Sequence, residues 1–175
     1  GVNLGVATGS MSTVIVSGAS TVWTNNSVVR IGYGGLNFGN AAIGSRSNFL
    51  SITGGAKVFD AGAAIGAVSN SDFNAVVVSD TNTLWAHTGA LNLGAGDHNS
   101  LVISNGARVT STSGTMGITN DEASNNVVTV TGPGSSWAMT GGLIVGQQGG
   151  NCEMWILNGA VVTNTTAVIG SGPGN

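Results

Sequence analysis

Three ten-residue segments of this chain superpose without a gap: VIVSGASTVW ending at Trp23, VVVSDTNTLW ending at Trp85 and VTVTGPGSSW ending at Trp137. Eight residues after each tryptophan comes an apolar residue followed by glycine: Ile31–Gly32, Leu93–Gly94 and Val145–Gly146. A second unit alternates with the first. It reads FLSITGGAKV, SLVISNGARV and EMWILNGAVV, aligned on Ala56, Ala107 and Ala160, with Ile65–Gly66, Met116–Gly117 and Ile169–Gly170 nine residues beyond. Leu4–Gly5 closes an earlier unit of this second kind. A short unit recurring at near-constant spacing points to a stack of like coils, none of which can bury its apolar face alone.

From Ile65 to Ile169 successive apolar–glycine pairs fall 28, 23, 29 and 24 residues apart, a two-unit period of 51 to 53. The step from Ile31 to Ile65 is 34 residues, about eleven too many. The surplus, Gly35 to Ser45 (GLNFGNAAIGS), carries its own Ile43–Gly44 and is expected to leave one face of the stack as a loop, the place where repeat proteins often bind.

Within each unit apolar residues alternate with others. Val14 and Val16, Val76 and Val78, and Val128 and Val130 are expected inward, with Ile15, Val77 and Thr129 outward. Gly, Asn, Ser and Asp punctuate the short runs and supply turns. The composition agrees: charged residues are only 6% and glycine numbers 30, but abundant Val, Ile and Thr argue for strands rather than disorder. The predicted fold is an all-β, single-stranded parallel β-helix of about seven coils, one domain over residues 1–175. The preference for right-handed crossovers between parallel strands sets its hand. Tryptophans at equivalent positions two coils apart stand roughly 10 Å from one another, so the intervening coil fills the gap. Trp155 aligns with Ser51 and Val102, between inward Met154 and Ile156, and is expected to face out.

The motif V-x-V-[ST]-G-x-x-S-x-W, an apolar–glycine pair and then N-G-A-x-V resembles the repeat of autotransporter passenger domains and of proteins carrying a PEP-CTERM sorting signal. Nearly the whole chain matches. Asp80 stands where the first glycine of the motif is usual, and Gly55 stands where Asn is usual. The resemblance implies a surface-exposed or secreted bacterial β-helix and no particular activity.

Chemistry is sparse. The net charge is −3, the charges are scattered, and no basic patch offers nucleic acid an electrostatic footing. No apolar run is long enough for a membrane-spanning helix. Cys152 is the only cysteine, which excludes an internal disulfide; a bridge to another chain is its functional alternative. Neighbouring acids occur at Asp121–Glu122, in a turn. Asp97–His98 is a further candidate, and His87 is expected to face out beside Trp85 with no acid or second His in register. No Ser-His-Asp constellation is expected from the spacing. No cofactor, metal or catalytic residue is assigned. The weak surface-binding candidates are Phe38, in the insert, and Trp155, with carbohydrate as the partner. Thr81/Thr83, Thr110/Thr112 and Thr163/Thr165 form local T-x-T pairs, but an ice-binding ladder is disfavoured because the register breaks at Phe59–Ala61.

Leu4–Gly5 and Ile169–Gly170 occupy the same phase of the repeat, 165 residues apart. No capping element is legible at either end, so end-to-end continuation is expected, as a segment of a longer solenoid or as a self-associating subunit. The leading expectation is a non-enzymatic extracellular fibre element. The alternative is an adhesin that uses the insert.

Overall fold

The computed structural model describes residues 1–6, 11–36, 42–118 and 123–172, and every regular element among them is a strand. After β1 (Val2–Leu4), the first coil is β2 (Thr13–Ser17), β3 (Val22–Thr24) and β4 (Val28–Ile31), followed by the short pair β5 (Gly35–Leu36) and β6 (Ala42–Ile43). The second coil is β7 (Phe49–Thr53), β8 (Lys57–Asp60) and β9 (Gly62–Ile65). The third is β10 (Ala75–Ser79), β11 (Leu84–His87) and β12 (Leu91–Leu93); the fourth is β13 (Ser100–Ser104), β14 (Arg108–Ser111) and β15 (Gly114–Met116). The fifth is β16 (Val127–Thr131), β17 (Ser136–Met139) and β18 (Leu143–Val145), and the sixth is β19 (Glu153–Leu157), β20 (Val161–Thr163) and β21 (Ala167–Ile169).

Each strand of a coil pairs in parallel with its equivalents in adjoining coils, giving a β-solenoid of three faces. The first face is β2–β7–β10–β13–β16–β19 and the second β3–β8–β11–β14–β17–β20; the third, β1–β4–β9–β12–β15–β18–β21, has one strand more. The count is therefore six complete coils and the last strand of a preceding one, against about seven from the repeat. Single β-strands of three to five residues, stacked about 4.8 Å apart, satisfy in the neighbouring coil the backbone groups that one coil leaves open. The surplus residues begin and end as the antiparallel arms β5 and β6; residues 37–41 lie outside those described.

Equivalent side chains form columns inside the stack. Leu50, Val76, Leu101 and Val128 make one on the first face, and Ile52, Val78, Ile103 and Val130 another, all buried. The second face carries Trp23, Val58, Trp85, Val109, Trp137 and Val162 in register. Valine thus fills each gap between tryptophans, as the two-coil spacing requires. Trp85 and Trp137 are fully buried, whereas Trp23, in the first coil, is half-buried. Outward on that face, Phe59 and Ala86 interrupt any threonine column before Thr110.

A polar column runs where the third face turns into the first. Asn48, Asn74, Asn99 and Asn126 each lie immediately before a first-face strand, and all four are buried. Backbone N–H groups of Ser12, Asn48, Asn74 and Asn99 donate to the side-chain oxygen of the asparagine one coil on, at 2.9–3.0 Å. Asn48 Nδ2 and Asn74 Nδ2 donate along the column as well. This ladder explains the glycine of the repeat. Gly32 has φ of 73° and sits against Asn74, so a β-carbon would collide with the amide; Gly66 and Gly94 have the same relation to Asn99 and Asn126. Glycine is required both for the left-handed turn and to leave room for the next coil's asparagine. Cys152 ends the column, with its thiol near the carbonyls of Ala123 and Gly149.

Candidate functional site

The same corner also carries the most unusual exposed side chains. Just before the asparagine column stand Ser47, Phe73, His98, Asn125 and Asn151, all left-handed, with φ between 53° and 57°. The turn imposes this conformation, because the N–H of each of the first four donates across to a carbonyl of the next coil at 3.1 Å. Asparagine accepts it readily, whereas a bulky aromatic residue such as Phe73 does so only under strain. The Phe73 ring is 53% exposed and stacks on His98, with centroids 4.9 Å apart and planes 17° from parallel.

One residue earlier, the carboxylates act as ladder acceptors. Asp72 Oδ1 accepts from the N–H of Asp97 at 2.9 Å, and Asp97 Oδ1 from the N–H of Ser124 at 2.7 Å. Arg46 Nη2 pairs with Asp72 Oδ2 at 2.6 Å, and Arg46 Nε reaches the carbonyl of Asn70. The Asp97–His98 candidate thus gains partners not expected from the sequence, Asp72 and Phe73 in the coil before. Both carboxylates are thus engaged in hydrogen bonds between coils, and Asp72 in an ion pair as well.

His87 differs from expectation. It is buried, not outward, and an acid does stand in register: Asp60 is its partner one coil back. His87 Nδ1 lies 2.5 Å from Asp60 Oδ1, Trp85 Nε1 donates to Asp60 Oδ2 at 2.7 Å, and the N–H of Gly62 also donates to Asp60. Residue parity explains the error: strand alternation that turns Trp85 inward turns His87 inward too. Ser111 follows in the same column one coil on, so the three side-chain types of a nucleophilic triad share one line, contrary to the reading from spacing. They are sealed in the stack; His87 Nε2 has no hydrogen-bond partner, and Ser111 Oγ accepts from Trp137 Nε1. The His87 and Asp60 side chains have no exposure to solvent.

Trp155 is 49% exposed, with its Nε1 donating to Glu153 at 2.9 Å, as its alignment implies. Phe38 lies outside the described residues, as do Asp121 and Glu122. Among the described residues no three of His, Cys, Asp and Glu gather as a metal site, and no helix is long and apolar enough to cross a membrane.

The far end of the stack is the other notable surface. The inner side chains of the sixth coil, with Leu143 and Val145 beneath them, surround an apolar hollow of about 350 Å³. Ile169 is 82% exposed and Ile156 50%, although their columns are buried elsewhere. Burial presses the Cys152 thiol, also in this hollow, above its ordinary pKa, outweighing hydrogen bonds from Asn126. Compared with protein-family models, curated proteins and solved structures, the chain matches none.

Proposed function

We propose that this chain is a non-enzymatic structural solenoid, a segment or subunit of an extracellular or bacterial surface fibre whose coils continue end to end. The observation that carries this reading is the open last coil: Ile156 and Ile169, whose equivalents are buried in the coils before, are 50% and 82% exposed there. The strands β19 and β20 pair on one side only, as do β2 and β3. A further coil in the same register, from more chain or from a second copy, would pair those edges and cover the hollow. The sealed Asp60–His87–Ser111 column and the engaged Asp72 and Asp97 support a role without catalysis.

Electron microscopy over a range of concentrations tests the self-stacking form. Filaments one coil wide that disappear on Ile156→Asp support it; separate short rods at every concentration refute it. The adhesin reading rests on a different observation, the antiparallel pair β5–β6, which joins none of the three faces of the stack. In that reading, deletion of residues 35–45 abolishes carbohydrate binding and leaves the β-sheet spectrum intact.

A further inference from the structure

We propose that the outer face of the Phe73 ring, flanked by the Arg46–Asp72 pair, is a stacking platform for a neutral pyranose of an extended glycan. Phe73 stands where the turn favours asparagine; the equivalent positions hold Ser47, His98, Asn125 and Asn151, so Phe73 is the one apolar ring among them. A strained backbone under a half-exposed ring does not serve stability, and that mismatch is what points to binding. One face of the ring rests on His98. The equivalent residue one coil back is Ser47, whose short side chain adds no ring to the aromatic column at that step among the described residues. A flat group about as thick as the coil rise of roughly 4.8 Å fits the step.

The surroundings select the kind of group. Arg46 is held at the step by its bonds to Asp72 and to the carbonyl of Asn70, while its side chain stays 53% exposed. A guanidinium already paired with a carboxylate offers remaining N–H donors without a net charge to neutralise, which suits hydroxyl groups better than an anion. An apolar face on an aromatic ring, with fixed polar groups at its edge, is the combination a pyranose presents and needs. This inference is independent of end-to-end stacking, because the corner lies on the side of the rod in the second to fourth coils.

Electrophoresis of the whole chain through gels containing galactomannan, xylan, mixed-linkage β-glucan or hydroxyethyl cellulose tests it. The expected result is retardation in at least one gel, lost in Phe73→Asn, kept in Phe73→Trp and unchanged in Trp155→Ala. Phe73→Asn relieves the left-handed strain, so its melting temperature should be no lower than that of the parent, which separates lost binding from unfolding. The proposal is overturned if no gel retards the parent, if Phe73→Asn is still retarded, or if retardation is lost with Trp155→Ala instead.

Discussion

Replacing Asn74 by leucine keeps the side chain's approximate size and raises its hydrophobicity, yet the asparagine ladder predicts a loss of stability. Asn74 Oδ1 accepts from the backbone and side chain of Asn48 at 3.0 and 2.8 Å, and its Nδ2 donates to the carbonyl of Ser45 at 3.1 Å and to Asn99 Oδ1 at 3.0 Å. Asn48 Nδ2 keeps Ser45 Oγ and the Arg46 carbonyl, and Asn99 Oδ1 keeps the N–H of Asn74. The backbone N–H of Asn48 and the carbonyl of Ser45 lose the bonds that served them inside the stack. Each stranded buried group costs about 1–3 kcal/mol, or about 2–6 for the pair. Full burial of a leucine returns at most about 1.5–3 kcal/mol, and less here because Asn48, Asn99 and Gly32 surround the site. The expected net loss is about 2 kcal/mol, read as a lower urea midpoint at unchanged slope. A midpoint equal to or above the parent's would refute the claim that the ladder stabilises the corner.

Trp85→Ala should cost about 3–5 kcal/mol in equilibrium unfolding, because the ring is fully buried and its Nε1 serves Asp60, while Trp23→Ala in the first coil should cost clearly less. Gly32→Ala should also destabilise, by at least the ~1 kcal/mol of a left-handed alanine, and should be partly rescued in the double variant with Asn74→Ala, measured by a thermal double-mutant cycle. The raised pKa of Cys152 means less thiolate below that pKa, so alkylation by iodoacetamide at pH 8 should run slower than on the unfolded chain and accelerate as pH rises. If copies stack on the last coil, the same reaction should slow further with protein concentration.

The sequence alone determined the coil. Alternation of apolar residues, the recurring tryptophan and the apolar–glycine pair placed the inward columns correctly, because strand parity and repeat spacing are local properties. The outward position of Trp155 followed from the same alignment. Spacing also located the surplus residues, though their antiparallel arms emerged only from the fold. The number of sides was not legible, since two bends or three per coil can fit the same spacing. The asparagine ladder left a signal, an asparagine shortly before β7, β10, β13 and β16, but polar residues at a turn look alike whether they face water or the next coil. Only the tertiary structure decided which residues meet between coils, because those contacts link positions some 25 residues apart through register. It brought Asp60 to His87, Arg46 to Asp72 and Phe73 to His98. These pairings depend on the variable length of each turn, which the repeat tolerates, and stacking alone converts that variation into neighbours.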